Sequence, residues 1–164
     1  MCKNRKQTGS TILEVIVAAF IVGTVLTGIA SLLSNSVKNT TEAENRKVAT
    51  RLAQDAMELY RKEKYMRTWA YFTDTAKIPE VSGTNWYCIP GGVIGINASY
   101  QKITNGDITG CAAITIDSSS TSFYRAAQKN TASGVSEVIV KVSWKDGTAV
   151  RSVDVQQNFK EVAY

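Results

Sequence analysis

A single acidic residue, Glu14, lies at the edge of a long apolar stretch near the N-terminus of this 164-residue chain. The run from Val15 to Leu33 carries no charge, and only three of its residues are polar. An unpaired carboxylate in hydrocarbon costs roughly 3 kcal/mol on insertion scales. We therefore expect Glu14 to lie at the lipid interface, to be protonated, or to pair with a positive group that arrives later.

Cleavage of the chain after Gly9 would supply such a positive group. The new amine of Ser10 would lie about one helical turn from Glu14, in the same helix or on a neighbouring subunit. The segment that ends at Gly9 holds three basic residues and no acidic one, namely Lys3, Arg5 and Lys6. A basic leader and small residues at positions 8–10 therefore place a candidate cleavage point next to the acid.

The element that would position Glu14 is an apolar helix from Ile12 to Leu33. At about 1.5 Å per residue, this helix spans roughly the thickness of a bilayer's hydrocarbon core. A basic segment before such a helix stays in the cytoplasm, so the rest of the chain is expected outside. The apolar run is too long for a secretory signal peptide, and it continues into a periodic helix. We predict a single-pass protein of the cytoplasmic (inner) membrane with its N-terminus inside.

The residues around this junction resemble a known family. The basic leader, Gly9, Ser10, Glu14 and the apolar run are together similar to the class III signal of type IV prepilins and pseudopilins. The resemblance implies cleavage between Gly9 and Ser10 by a membrane aspartic prepilin peptidase, followed by N-methylation of Ser10. It also implies that Glu14 neutralises the N-terminus of the adjacent subunit during assembly. Family members usually have Phe or Met at the position of Ser10. The alternative is an ordinary single-span anchor with a stray glutamate.

The resemblance also implies a function and a set of partners. It implies a structural subunit, a minor pilin, of a type IV pilus-like fibre that is assembled through the N-terminal helix. The implied partners are other pilin subunits, the prepilin peptidase, an inner-membrane assembly platform and, before assembly, membrane lipid. A major pilin and a type II secretion or competence pseudopilin are alternatives within the class. A membrane-anchored extracellular binding domain is the alternative from another class.

Residues 34–67 are expected to continue the helix beyond the membrane. Apolar residues recur there at i, i+3, i+4 and i+7, a spacing typical of one buried helix face. They are Ala49, Leu52, Ala53, Ala56, Leu59 and Tyr60. No proline occurs before Pro79, so one helix is predicted from about Thr11 to about Lys64. The predicted organisation is a leader at 1–9, a transmembrane and assembly half at 10–33, an amphipathic half at 34–67 and a globular β head at 68–164.

The end of the chain predicts a β-hairpin. Apolar residues at every second position indicate a first strand, namely Val138, Val140, Val142 and Trp144. Asp146-Gly147 is a hairpin signal, and the second strand is expected to turn Val153 and Val155 toward the core. This run also resembles the last hairpin of many minor-pilin heads. The predicted fold is therefore α+β and of the type IV pilin kind, with one long N-terminal helix packed on a small antiparallel sheet.

The first part of the head gives weaker signals. Segments 68–83 and 97–110 are predicted to be loops, because they are polar and contain turn-forming residues. Segment 84–96 is predicted to form short extended pieces around a turn at Pro90. Two further short strands are expected at Ala112–Asp117 and Ser122–Ala126, separated by a serine-rich run.

Cysteine placement predicts a disulfide in the head. Cys2 lies in the leader and would leave with it, whereas Cys88 and Cys111 remain in a segment expected to be extracytoplasmic. We predict that these two residues pair, the alternative being two free buried thiols. Two thiols without any histidine do not suit a zinc site.

No catalytic constellation is recognisable in the sequence. The chain has no histidine for a serine or cysteine relay, and Gly91-Gly92 is not followed by the residues of a phosphate loop. Asp107 and Asp117 are isolated acids of the kind that form turns. We predict a protein that is not an enzyme and binds no cofactor or metal.

A basic and aromatic cluster ends the predicted helix. It comprises Arg61, Lys62, Lys64 and Arg67 together with Tyr60, Tyr65 and Trp69. Such a cluster could contact DNA or another anionic surface. The simpler interpretation is a solvated helix end, where positive charge is favoured by the helix dipole. The overall charge of +5 adds little, because the leader carries three of the 19 basic residues.

Overall fold

The computed structural model describes residues 10–81, 83–89, 100–116 and 121–161, and it leaves the side chains of Ser10 and Thr11 undescribed. It confirms the predicted α+β architecture, a long N-terminal helix packed on a five-stranded antiparallel sheet. The helices are α1 (Ser10–Met66) and α2 (Trp69–Thr73), with a 3-10 turn at Ile108–Gly110. The strands are β1 (Trp86–Cys88), β2 (Gln101–Ile103), β3 (Phe123–Ala132), β4 (Val135–Asp146) and β5 (Ala149–Lys160), and they lie in the order β2-β1-β3-β4-β5.

The chain divides into two compact units, one ending at Glu42 and the other beginning at Ala43. The described part of the first unit is helical throughout and belongs to α1. The second unit contains the rest of α1 and all five strands. The predicted helix boundaries are confirmed to within two residues at each end. Neither glycine nor proline, the two residues least favourable in a helix, occurs between Ile29 and Met66 of α1.

One face of α1 in the second unit packs on the sheet. Three alanines, Ala49, Ala53 and Ala56, have no exposed area. Their small side chains let the helix backbone approach the strands closely, where Val140 and Val142 are also fully buried. The other members of this core include Met57, Tyr60, Phe72, Phe123, Val138, Trp144 and Phe159. The predicted apolar helix face is therefore confirmed.

Two tight hairpins build the long strands. The predicted hairpin between β4 and β5 is confirmed, and Asp146 pairs with Ala149 across a two-residue turn that begins at Gly147. Gly147 has a φ of 60°, which suits the first central position of such a turn. The β3–β4 turn uses Ser133 and Gly134, both with positive φ (52° and 76°), the backbone of a type I′ turn. These short connections fix the register of all three strands.

The sheet also has a second covered face. Trp86, Cys88 and Ala126 point away from α1 and pack with Ile108 and Cys111. The strand alternation explains this arrangement, because Ala126 follows the helix-facing Arg125 and precedes the helix-facing Ala127. Among the residues that the structure describes, the 3-10 turn therefore covers this second face.

Several local expectations in the head are wrong. The predicted loop at 68–83 contains α2, which starts because the Thr68 hydroxyl accepts the N–H of Tyr71. The predicted loop at 97–110 contains β2 and the 3-10 turn. The strand predicted at Ala112–Asp117 is reduced in its described part to one bridge between Ile114 and Phe123. The strand predicted at Ser122–Ala126 extends instead from Phe123 to Ala132. The turn expected at Pro90 lies outside the described residues.

Candidate functional site

A long apolar surface covers the N-terminal part of α1. From Ile12 to Thr41 every residue is exposed, including Phe20 at 73% and Leu32 at 70%. The most apolar 18-residue window has a mean hydropathy of 2.4 and no buried residue. An apolar surface of this extent has to be covered by lipid or by other protein. By length and composition, this helix is able to cross a membrane.

Threonines within this surface satisfy their hydroxyl groups inside the helix. Thr24 Oγ1 donates to the carbonyl of Ile21 at 2.8 Å. Thr27 Oγ1 lies 3.0 Å from the carbonyl of Gly23 and 2.9 Å from that of Thr24. An unsatisfied hydroxyl in an apolar environment costs several kcal/mol. These internal hydrogen bonds make the helix compatible with burial in lipid or among other helices.

Glu14 is the only charged residue between Ile12 and Val37. Its side chain is exposed in the first turns of α1. Ser10 begins α1, so its backbone nitrogen lies four residues, about 6 Å along the helix axis, before Glu14. Gly9 and the basic leader lie outside the described residues, so the cleavage site stays a prediction. Glu14 therefore lies one helical turn from Ser10, which would become the first residue of the chain after cleavage.

The structure joins Cys88 to Cys111 in the predicted disulfide. Cys88 ends β1, and Cys111 directly follows the 3-10 turn. Both residues are buried beside Trp86 and Ile108. The disulfide therefore holds the 3-10 turn against the face of the sheet that α1 does not cover.

Asp107 begins the 3-10 turn. Its carboxylate accepts the N–H of Thr109 at 3.0 Å, and this hydrogen bond holds the pKa of Asp107 below its ordinary value. Asp107 therefore forms a turn, as the sequence predicted. Asp117, the other isolated acid, lies outside the described residues.

Loss of the disulfide is expected to weaken the head markedly. A Cys88→Ser/Cys111→Ser variant should unfold with about 3 kcal/mol less free energy, because the bond closes a loop of 23 residues in the unfolded chain. Urea unfolding of the full chain in detergent measures this difference. Reduction of the wild type should reproduce it, and Cys2→Ser is the matched control that should not. Equal urea midpoints for the oxidised wild type and the double variant would contradict the prediction.

The basic cluster at the end of α1 is partly neutralised. Arg61 pairs with Glu58, and its Nε donates to Gln157 of β5 at 2.8 Å. Arg67 Nε lies 3.8 Å from a carboxylate oxygen of Glu63. Two of the four cations in the cluster therefore have acidic or amide partners in their own chain.

The aromatic members of the cluster separate into the core and the surface. Tyr60 is 3% exposed and belongs to the core. The prediction that Tyr60 is part of the basic and aromatic surface cluster is therefore wrong. Trp69 is half-buried against the same core. Tyr65, in contrast, is 77% exposed, and Lys64 Nζ lies 4.9 Å from the centre of its ring. The remainder of the cluster consists of the exposed Lys62 and Tyr65 and the half-buried Lys64.

A buried ion pair in the head was not found from the sequence. Lys129 on β3 is 1% exposed, and its Nζ donates to the carbonyl of Ile78 at 3.0 Å and lies 3.3 Å from Glu80 Oε1. Burial lowers the pKa of the Lys129 ammonium, and the nearby Glu80 carboxylate opposes that shift. The same Nζ lies 5.6 Å from the centre of the Phe72 ring. The position of Lys129, two residues after the core residue Ala127, could have revealed it.

A second buried cation, Arg125, joins α1 to the sheet. It is 6% exposed, and one guanidinium nitrogen donates to the carbonyl of Leu52 at 3.3 Å. Burial raises the pKa of the neighbouring Tyr60 phenol, Tyr100 raises it further, and Arg125 opposes the shift. The interface between helix and sheet therefore combines apolar packing with a directed hydrogen bond.

Alkaline pH is expected to destabilise the head through Tyr60. Its pKa is raised in the folded chain, so the folded state keeps a proton that the unfolded state loses above pH 10.0. The contribution of the Tyr60 phenol to the free energy of unfolding is fully present below that pH. Above it, the contribution falls by up to about 1.4 kcal/mol per pH unit. Urea unfolding between about pH 9 and pH 11 should show a shallower loss for Tyr60→Phe than for the wild type. Tyr65→Phe, at an exposed tyrosine, should match the wild type. Equal slopes for all three proteins would contradict the prediction.

Comparisons of the chain with protein-family models, with curated proteins and with solved structures gave no match. The resemblance of the N-terminal segment to prepilin signals is therefore carried by its own residues. The exposed helix surface and the position of Glu14 are the structural features to which a function can be attached.

Proposed function

We propose that this chain is a structural subunit, a minor pilin, of a type IV pilus-like fibre. It enters the fibre through the N-terminal half of α1 after removal of residues 1–9. One observation carries the proposal: a fully exposed apolar helix surface contains a lone acid, Glu14, four residues after Ser10. An anchor that only holds a head in the membrane has no need for that acid.

The proposed assembly step is an electrostatic one. The prepilin peptidase cuts after Gly9, and the amine of Ser10 becomes the first group of the mature chain. In the fibre this amine, methylated by the same pathway, meets Glu14 of the adjacent subunit. Away from water each charge alone is costly, but together they form a strong pair. The apolar helix surfaces then exchange contact with lipid for contact with one another.

The wider setting follows from the same step. Before assembly the subunit lies in the cytoplasmic membrane with its head outside, and the inner-membrane assembly platform lifts it into the fibre. A pseudopilin of a secretion or competence system would use the same chemistry. The exposed Tyr65 beside Lys62 and Lys64 favours a second candidate, a membrane-anchored head that binds an anionic partner such as DNA.

Leader cleavage tests the proposal. The chain is produced in cells with and without a prepilin peptidase, and its intact mass is measured. We expect loss of the first nine residues only when the peptidase is present. Gly9→Val should block this loss, because a branched side chain then occupies the cut. Gly23→Val is the matched control, since a Cβ at Gly23 meets no atom within 4 Å. A chain that keeps Met1 in both strains would favour the simple anchor.

A further inference from the structure

We infer that neighbouring copies of this chain are aligned by a second, charged contact on α1, in which Lys38 of one copy pairs with Glu42 of the next. The inference rests on the proposed function, because it takes the contact between Ser10 and Glu14 as its starting point. It adds the register in which two copies lie side by side and the residues that select it.

The register follows from helix geometry. If the amine of Ser10 lies level with Glu14 of a parallel neighbour, the two helices are offset by four residues, about 6 Å along their axes. Every residue then lies level with the residue four positions later in the other copy. Lys38 is placed level with Glu42, and Glu42 is placed level with Arg46. With no offset, each charged residue would lie level with the same residue of the other copy, and the two charges would repel.

The charges themselves select the same offset. Five charged residues lie between the end of the apolar run and the start of the buried helix face, namely Lys38, Glu42, Glu44, Arg46 and Lys47. Within residues 38–47, an offset of four brings two pairs of opposite charge level and no pair of like charge. Every other offset from zero to nine residues brings at most one pair of opposite charge level. Two independent parts of α1 therefore point to one stagger.

The surface is available for this contact in a single chain. Lys38 and Arg46 are exposed. Glu42 is half-buried and has an interaction within its own chain, so a neighbour's lysine would add to that interaction or replace it. The preceding apolar surface holds no charge except Glu14. Apolar packing is not directional, so that surface alone tolerates several offsets, and the charged residues supply the selection.

Cross-linking between two tagged copies tests the stagger. Asn35 and Asn39 are exposed, uncharged and four residues apart, so cysteines there leave the charges intact. One copy carries Asn35→Cys and the other Asn39→Cys, and both are produced in cells that assemble the fibre. An exposed charge pair shifts such an equilibrium by up to about fivefold, and the contact between Ser10 and Glu14 favours the same offset. We therefore expect the 35–39 cross-link to exceed the 35–35 and 39–39 cross-links by at least about that factor.

Charge reversal separates this inference from its alternatives. Lys38→Glu in both copies makes the 38–42 pair like-charged and should lower the 35–39 cross-link about fivefold relative to the same-residue cross-links. Adding both Glu42→Lys and Arg46→Glu to the two copies should restore it, because the 38–42 and 42–46 pairs are then again of opposite charge, and Glu44→Lys alone should not change it. A 35–39 cross-link that is no stronger than the others, or whose ratio to them is unchanged by Lys38→Glu, would overturn the inference. Leader cleavage and recovery of the chain in fibres are measured in the same cells, so failure of the proposed function would be seen separately.

Discussion

Replacing Glu14 with alanine is expected to abolish entry of the chain into fibres while leaving leader cleavage unchanged. The substitution removes the partner of the Ser10 amine and leaves a positive charge in an apolar interface. Removing one member of a buried charge pair costs about 3–5 kcal/mol, which corresponds to a hundredfold loss or more. The measurement is the ratio of the chain in sheared fibres to the chain in the membrane fraction.

Three further variants identify the cause of that loss. Glu14→Asp keeps the charge and should retain partial incorporation, whereas the neutral Glu14→Gln should behave like Glu14→Ala. Glu44→Ala removes an exposed acid elsewhere on the same helix and should incorporate normally. Normal incorporation of Glu14→Gln would rule out charge neutralisation as the role of Glu14.

Glu80→Gln is expected to destabilise the head by roughly 3 kcal/mol, because it leaves the buried Lys129 without its charged partner. Lys129 is 1% exposed, and the Glu80 side chain is 24% exposed. Removal of the carboxylate therefore leaves an ammonium that water cannot reach. Urea unfolding of the full chain in detergent measures the loss.

The reverse substitution should be much milder. Lys129→Met fills a similar volume. Glu80 Oε1 is buried, but the Glu80 side chain is 24% exposed, so the carboxylate that remains can turn toward water. The loss for Glu80→Gln should also shrink at high pH. The folded pKa of Lys129 is lowered from 10.5, so the unfolded chain binds more protons in the window below that value, and stability from this group rises with pH there. A larger loss for Lys129→Met than for Glu80→Gln would contradict this account of the pair.

The sequence predicted the parts of the fold in which a periodic pattern of apolar residues extends over many residues. Ala49, Ala53 and Ala56 recur at helical spacing, and the valines of β4 alternate, so the helix and the last hairpin were predicted within a few residues. These elements are long enough for one face to dominate the pattern. The disulfide was also predictable, because only Cys88 and Cys111 remain after the leader.

The shorter elements escaped prediction for a physical reason. β2 and the 3-10 turn contain three residues each, which is too short for any period to appear. They exist because β1 offers a pairing edge and because the disulfide at Cys88 holds the turn in place. Lys129 was missed because charge normally indicates a solvent-facing position. Its burial depends on Glu80, which is distant in sequence and meets it only in the folded head.

The candidate site was accessible from sequence because it is local. Ser10 and Glu14 lie about one helical turn apart in α1, so their spacing alone defines the geometry. The structure adds that the helix surface around Glu14 is exposed on every side.

The N-terminal residue of the chain recovered from native fibres tests the central claim most directly. Fibres are sheared from the cell surface, and the N-terminal peptide of this chain is identified by mass spectrometry. We expect a peptide that begins at Ser10 and none that begins at Met1. Protein that retains its leader and is found only in the membrane, never in fibres, would contradict the account.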